Sequence, residues 1–420
     1  MNFQHKRLSI FGLPNIFKNF LNIGIFQFAG MLLQLLAIPL ITRKYGLEIF
    51  GEIALTTSFA FLLGNFVNYG TNQTAIKDVA IAKSNPTELS KIFSKVFWLR
   101  FVVFLIIIVM TTMITMTTQK KGLLLWLSIT PLIFSELINP LYFLVGTEKV
   151  HWISWGNLLT RAGSLLLIFF TTIHSNQAMM MNFFIGVPLI LFYALVSIYI
   201  IYIYKIKITK IDLVLLKSTL QHNFYVTFNG NSALMQQTIF LFFVAGIKNP
   251  LLLGAYGIVD KLLGAARQLT SSFSLAIYPR ASALHHEMPS LWLSFRKKLQ
   301  KIYAVVFLSA GVFLYLISDL LVQWITKEPN LLAIEFVKIF SLVPLLIALN
   351  ANNVIDLLLS NKYKEMFYIS LMVLLSTIIL SFSITQWNNI MSLGWYPVLM
   401  EGACLLIYAF YIRRLKLHIV

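Results

Sequence analysis

Residues 180–210 read MMNFFIGVPLILFYALVSIYIIYIYKIKITK. The segment from 180 to 203 has no charged side chain, and a hydrocarbon core of about 30 Å needs about 20 apolar residues in a helix. Three lysines follow this run, at Lys205, Lys207 and Lys210. Lysines beside a span stay mostly on the cytoplasmic side of the membrane. The segment therefore predicts a membrane-crossing helix that ends in the cytoplasm.

Eleven further segments have the same apolar character. The 420-residue chain is 58% hydrophobic and has a mean hydropathy of +0.80, which excludes a soluble protein of this length. The twelve predicted spans are 19–41, 48–69, 97–117, 122–145, 152–173, 180–203, 223–246, 251–275, 302–324, 331–358, 366–385 and 391–412. The sequence therefore predicts an all-α polytopic membrane protein.

Charge orients these spans. Most of the 33 lysines and arginines fall in every second gap, so both termini are predicted to be cytoplasmic. We interpret the net charge of +18 as this bias plus contact with the headgroups of membrane lipids, and not as a signal for nucleic acid. A single cysteine, Cys404, excludes an internal disulfide and a multi-cysteine metal site. We predict no metal, no cofactor and no cleavable signal peptide.

A weak internal repeat divides the twelve spans into two sets of six. The segment from Asn22 to Gly51 aligns without a gap on Tyr225 to Gly254, which pairs Gln34 with Gln237. An even number of spans in each half makes the halves parallel repeats about an axis normal to the membrane. The prediction is two six-helix lobes, residues 1–203 and 221–420, joined by a cytoplasmic linker at 204–220 and facing a central cavity.

Charged side chains inside the predicted span 251–275 point to the contents of that cavity. Asp260, Lys261, Arg267 and Gln268 recur at near-helical spacing, and we place them on or beside one face. Each charge near the bilayer centre costs about 2.5–3.5 kcal/mol on insertion scales. The excess of positive charge favours an anion-binding site made by Lys261 and Arg267, with Arg161 contributing from the first lobe. A structural ion pair that uses Asp260 is the alternative.

Further polar residues in the spans extend the predicted cavity. Amide side chains can bind hydroxyl-rich sugars, although each can instead bridge two helices. The amides assigned to the cavity are Gln27, Gln34, Asn231, Gln237, Gln268 and Asn353. The candidates for coupling to H⁺ or Na⁺ are the carboxyls Asp260, Glu401 and Glu136, and each of these also has a purely structural interpretation.

Several motifs resemble one family of membrane proteins. They are QLLAIPLITRKYGLEIFG at 34–51, NYGTN at 68–72, AIKDVA at 75–80, NP at 139–140, GTEK at 146–149, Asn157 to Arg161, and YPR at 278–280. Their order and spacing are similar to those of Wzx-type O-antigen flippases. These belong to the polysaccharide transporter family of the multidrug/oligosaccharidyl-lipid/polysaccharide exporter superfamily. Asn68 stands where the family often has an acidic residue.

This resemblance implies a transporter and not an enzyme, located in the bacterial inner membrane. The implied cargo is an oligosaccharide repeat unit linked through pyrophosphate to undecaprenol, carried from the cytoplasmic to the periplasmic leaflet. A polysaccharide polymerase and a chain-length regulator are its implied partners. Two alternatives stay open at this point. One is a multidrug exporter, for which an acidic cavity would be expected, and the other is a membrane-embedded glycosyltransferase or polymerase, for which a sizeable periplasmic loop would be expected.

Overall fold

The computed structural model describes residues 13–116, 119–171, 180–210, 212–360, 362–387 and 389–415, and within these ranges it contains helices and no strand. The α-helices, in chain order, are α1 Leu13–Tyr45, α2 Leu47–Asn68, α3 Thr71–Ala82, α4 Pro86–Met116, α5 Gln119–Leu137, α6 Leu141–Gly146, α7 Val150–Phe170, α8 Met181–Ile203, α9 Leu213–Gly246, α10 Pro250–Glu287, α11 Pro289–Thr326, α12 Leu331–Phe340, α13 Val343–Leu359, α14 Tyr363–Thr385 and α15 Tyr396–Arg414. A short 3₁₀ helix, Ile390–Trp395, leads into α15.

Each of the twelve predicted spans overlaps a helix, and two spans are broken. Span 122–145 is divided between α5 and α6, because Pro140 follows Asn139 where the chain leaves α5. Span 331–358 is divided between α12 and α13, with Pro344 in the first turn of α13. Proline has no backbone N–H and is tolerated best in the first turn of a helix. The prolines therefore fix where these helices restart.

Nine segments in the described ranges are long and apolar enough to cross a membrane. The predicted spans of α9 and α10 lie outside this set. α10 carries Asp260, Lys261 and Arg267, while α9 carries repeated asparagine and glutamine. Polar side chains lower the hydropathy of a helix, and inside a membrane such side chains face the interior of the bundle or a cavity.

The helices pack mainly within two groups. α1 packs on α7, α2 on α5, and α5 on α8, while in the second group α9 packs on α14 and α13 packs on α10, α11 and α15. The groups meet where α2 packs along α9 and α10, and where α1 reaches α11. α9 already begins at Leu213, inside the predicted linker 204–220, because the side chain of Asp212 accepts the backbone N–H groups of Val214 and Leu215 and so caps the helix.

Two glycines that the sequence repeat pairs with each other are in contact at the interface. A Cβ atom built on Gly51 of α2 would lie 2.5 Å from the backbone nitrogen of Gly254, and one on Gly254 of α10 would lie 2.0 Å from the carbonyl oxygen of Leu47. Only glycine allows so close an approach of two helices. A hydrophobic core continues across both groups here, from Phe50 to Phe336.

Candidate functional site

Two neighbouring cavities lie where the helix groups meet, and they share part of their lining. The larger has a volume of about 270 Å³ and the smaller about 130 Å³, and both are lined by Gln34, Phe61 and Lys261. The larger extends into the first group, where Glu136, Asn157 and Arg161 line it. The smaller is bounded by α1, α2, α9 and α10. α1, α9 and α10 therefore border this space.

Arg161 brings an unpaired hydrogen-bond donor into the larger cavity. Its Nη1 atom is buried and has no hydrogen-bond partner among the described residues. The guanidinium crosses α1 at Gly30, where an added Cβ would lie 3.2 Å from Nη1. A buried donor without a partner costs about 1–3 kcal/mol, and more when it is charged. An anionic ligand that accepts from Nη1 would remove this cost.

Lys261 connects the two cavities. Its Nζ lies 3.4 Å from Oδ2 of Asp260 and 3.5 Å from Oγ of Ser58, and its side chain keeps partial exposure. The carboxylate of Asp260 is buried and lies 3.3 Å from the hydroxyl of Ser58. At 3.4 Å the lysine is close enough to neutralise Asp260, while its length and mobility also allow it to reach a ligand in the cavity.

Glu136 is the acidic residue that lines the larger cavity, and it has amide partners. Its Oε2 accepts hydrogen bonds from Nδ2 of Asn68 at 3.1 Å and from Nδ2 of Asn139 at 2.9 Å. No lysine or arginine of the described ranges lies within ion-pair distance of this carboxylate. Asn68 and Asn139 belong to two of the motifs singled out in the sequence, so these motifs hold the acid in place.

Arg267 lies outside both cavity linings. Its Nη2 pairs with Oε1 of Glu401 at 2.6 Å and with Oε1 of Gln236 at 2.9 Å, and its Nη1 donates to the carbonyl oxygen of Ala233 at 2.9 Å. This buried ion pair joins α9, α10 and α15. The pair is formed by two of the predicted site residues, Arg267 for the anion and Glu401 for ion coupling. Each of them therefore already has the other as its partner.

The predicted amides separate into two sets. Gln34, Gln237 and Gln268 line the smaller cavity. Asn231 instead donates to the carbonyl oxygen of Thr227 within α9, and Asn353 accepts from Arg296 at 3.0 Å. The side chain of Gln27 lies outside the described part of the chain. Thr57, Thr160, Ser164 and Tyr193 also line the larger cavity, although sequence analysis did not select them.

Arg100 and Arg296, which are not among the predicted site residues, each hold two neighbouring helices together, Arg100 buried in the first group and Arg296 partly buried in the second. Arg100 of α4 is fully buried and donates to the carbonyl oxygens of Glu136 and Asn139 at the end of α5. Arg296 of α11 donates to Oδ2 of Asp356 at 2.7 Å and to Oδ1 of Asn353 of α13. In both groups an arginine at the start of one span thus holds two residues, three positions apart, on the next span. This repeat is detectable only after the helices are paired in space.

Comparison with known proteins gives three kinds of match. A family model described as polysaccharide biosynthesis protein matches residues 16–285. A protein of Escherichia coli (strain K12), provisionally named an O-antigen transporter, is 23% identical over 355 residues, covering 83% of this chain and 85% of its own length. A protein of Shigella dysenteriae with the same provisional name is 23% identical over 302 residues, covering 70% of this chain and 73% of its own length.

Solved structures with the same fold include transporters of two kinds. The lipid II flippase MurJ in its inward closed conformation superposes with a TM-score of 0.72 at 14% identity, covering 94% of this chain and 87% of that chain. A MATE protein in its bent conformation superposes with a TM-score of 0.57 at 12% identity, covering 96% of both chains. These likenesses establish the expected all-α exporter fold.

Proposed function

The chain belongs to the polysaccharide biosynthesis protein family, a multi-pass membrane family with relatives named as transporters, and on this premise we propose that it is a lipid-linked oligosaccharide flippase. Its cargo would be an oligosaccharide repeat unit on undecaprenyl pyrophosphate, turned from the cytoplasmic to the periplasmic leaflet of the bacterial inner membrane by alternating access. Residues 1–203 and 221–420 would move as two lobes, and both termini would be cytoplasmic.

The observation that carries the proposal is the unpaired Nη1 of Arg161 in a cavity that Lys261 shares. A pyrophosphate presents several anionic oxygens. Arginine binds such oxygens through two N–H groups in a fixed plane, and lysine acts as a compact positive charge. The two residues come from opposite sides of the interface, so both contact one anion only while the cavity is closed around it.

The amides and hydroxyls suit the sugar end of the cargo. Gln34, Gln237 and Gln268 present both donors and acceptors to the smaller cavity, as sugar hydroxyls require. Apolar residues, among them Phe61 and Leu165, form the remaining walls of the larger cavity. The polyprenyl chain would stay in the bilayer beside the helices. The released product would pass to a polysaccharide polymerase and its chain-length regulator.

Coupling to H⁺ or Na⁺ is proposed at Glu136. Asp260 and Glu401, the other two candidates, each have a cationic partner, Lys261 and Arg267 respectively. Glu136 has neutral amide partners and faces the same cavity as Arg161. A proton or cation bound at Glu136 would change the charge of the cavity directly. Such an ion can drive a conformational change only if it binds the two states unequally.

The test compares three alanine variants in a reconstituted flipping assay with undecaprenyl-pyrophosphate-linked oligosaccharide. Arg161→Ala and Lys261→Ala should each lower flipping at least tenfold, because a hydrogen bond to a charged group contributes about 1.5–3 kcal/mol. Lys338→Ala is the matched control, since Lys338 also lies in a predicted span but pairs with Asp319, at 3.3 Å, outside the cavity. Full activity of both cavity variants would contradict the proposal.

The same assay separates the anion site from its two rivals. Arg267→Ala tests whether the ion pair with Glu401 opens, so that Arg267 becomes a third residue that binds the anion. Any effect of this variant on flipping should come with a loss of thermal stability. A multidrug exporter would instead transport cationic dyes, and neutralising Lys261 should improve that transport. Turnover of a sugar donor by the purified chain would favour the glycosyltransferase alternative.

A further inference from the structure

The segment that joins α8 to α9 is pinned along the surface of α4. We call residues 205–210 the strap. The backbone N–H of Lys207 donates to Oγ of Ser90 at 3.0 Å, and the backbone N–H of Thr209 donates to Oγ of Ser94 at 2.8 Å. The indole Nε1 of Trp98 donates to the carbonyl oxygen of Thr209 at 2.9 Å. These three side chains are one helical turn apart, so α4 offers the strap a regular row of partners.

The two serines leave the strap little freedom. Each hydroxyl also donates back to its own helix, Ser90 to the carbonyl oxygen of Pro86 and Ser94 to that of Ser90, both at 2.7 Å. A hydroxyl has a single proton to donate, and here that proton is used within α4. Each serine therefore binds the strap by accepting a backbone N–H with a lone pair of its oxygen. Ile206 is buried in the adjoining apolar cluster. The strap is thus held by its backbone and by one apolar side chain.

The lysines of the strap are left exposed and without counter-ions. Lys205, Lys207 and Lys210 are all exposed, and no carboxylate in the described ranges lies within ion-pair distance of them. Other lysines near the same helix are neutralised, as Lys95 is by Asp78 at 2.9 Å. Three fixed, unneutralised cations on an extended segment require an anionic partner or bulk water.

Exposed apolar side chains surround these lysines. Tyr202 is 82% exposed, Ile208 52%, Leu213 69% and Val214 81%. So many apolar groups beside a row of cations are typical of a segment lying in a membrane interface, where the apolar groups enter the acyl region and the cations meet the headgroups. Trp98, which binds the strap, is of a residue type enriched at this depth.

We propose that the strap is a binding site for the headgroups of anionic phospholipids in the cytoplasmic leaflet. A bilayer phospholipid fits better than the transported lipid, because no strap residue lines either cavity. The bilayer also supplies anionic headgroups and acyl chains together, as the lysines and apolar side chains require. In sequence the strap lies between the two helix groups. A lipid bound to the strap would therefore hold the first group in place at the point where α9 begins. This inference is independent of the proposed cargo.

The test measures lipid retention by the full-length chain. Purified protein is taken from vesicles of equal parts phosphatidylglycerol and phosphatidylcholine, and native mass spectrometry records which lipids stay bound. The wild type should retain phosphatidylglycerol selectively. A variant with Lys205, Lys207 and Lys210 all changed to glutamine should lose that selectivity at least tenfold, because each lysine near an anionic surface contributes about fivefold in binding.

Two further variants make the result specific. Replacing Lys297, Lys298 and Lys301 by glutamine removes the same charge from exposed positions at the start of α11 and should leave the selectivity intact. Ser90→Ala with Ser94→Ala keeps every strap lysine, removes the pinning, and should also weaken phosphatidylglycerol retention. The proposal is overturned if the strap variant retains the lipid as the wild type does, if the α11 control loses it equally, or if unpinning has no effect. The measurement is repeated with undecaprenyl pyrophosphate added to the same vesicles, and the proposal is also overturned if the strap lysines retain that lipid and not phosphatidylglycerol.

Discussion

Gly30 sets the position of the guanidinium of Arg161. A methyl group at this site would lie 3.2 Å from Nη1 and 3.4 Å from Cδ of the arginine, so the side chain must move by a few tenths of an ångström. We expect Gly30→Ala to weaken binding of a pyrophosphate lipid by up to about tenfold while the protein stays folded, because small misplacements of a binding group are costly. Gly402→Ala, which meets no atom within 4 Å, is the control. Equal binding by both variants would contradict a binding role for Arg161 in this position.

Lys261 and Arg267 illustrate what sequence periodicity does and does not determine. A helix advances about 100° per residue, so Lys261, Gly264, Ala265 and Gln268 face the same direction, whereas Arg267 points about 120° away from Lys261. All four of the former line the smaller cavity. The spacing places Lys261 and Gln268 on one face of the helix, and both line the smaller cavity. It could not show that Glu401, 134 residues along the chain, lies opposite Arg267.

Arg100 should be among the residues whose loss destabilises the protein most. Its Nε donates to Thr71 at 2.8 Å and its Nη2 to Asn72 at 2.9 Å, in addition to the two carbonyl oxygens at the end of α5. Arg100→Ala leaves these acceptors buried without a donor, which should cost at least about 2 kcal/mol. The check is thermal unfolding in detergent, with the exposed Lys77→Ala on α3 as control. Equal unfolding temperatures would show that water replaces the guanidinium.

The helices that the sequence describes least well are those that border the cavity. α9 and α10 were found from apolar runs interrupted by amides and charges, and they are not among the nine segments of the described ranges that are long and apolar enough to cross a membrane. A cavity-facing helix must be polar on one side, so its average hydropathy falls although its other sides are buried in protein or lipid. Pro140 indicates a kink in the predicted span 122–145, and α5 ends just before it. The break after α12 was not predicted from the sequence.

The contact between α2 and α10 should tolerate no side chain at its closest point. Gly254→Ala would place a methyl group 2.0 Å from the carbonyl oxygen of Leu47, which is backbone and cannot rotate away. We expect a loss of about 1–3 kcal/mol from overpacking of this arrangement. Gly264→Ala, on the same helix with no atom within 4 Å, should leave the unfolding temperature unchanged. A harmless Gly254→Ala would indicate that the two helices are already apart in the membrane.

The predicted orientation of the whole chain can be tested with reporters. The charge pattern places Lys121 and Lys327 outside and Lys210 inside the cell. An alkaline phosphatase reporter fused after Lys121 or Lys327 should be active, because this enzyme needs the oxidising periplasm, while one fused after Lys210 should be inactive. The reverse result at all three sites would mean that the chain is inserted in the opposite orientation, and the proposed direction of transport would then be inverted.

Alternating access requires one end of the interface to open, and the end that contains Gly51 and Gly254 is closed in this structure. There the hydroxyl of Thr42 donates to the carbonyl oxygen of Ile325 at 2.5 Å. The Nε of Arg43 donates to the carbonyl oxygen of Trp324 at 2.9 Å. Side chains of α1 thus bind the last carbonyl groups of α11, which have no partner within their own helix.

A disulfide across this contact should lock the molecule. Thr42→Cys with Ile325→Cys, made in a chain carrying Cys404→Ser, has no competing thiol, and the side chain of Thr42 lies against the backbone of Ile325. Oxidation should stop flipping, and dithiothreitol should restore it, whereas either single cysteine should leave transport unchanged. Failure of the disulfide to form would mean that the membrane-embedded protein does not populate this closed arrangement. A disulfide that forms fully without slowing transport would mean that α1 and α11 never separate here, and the cargo would then have to leave by another path.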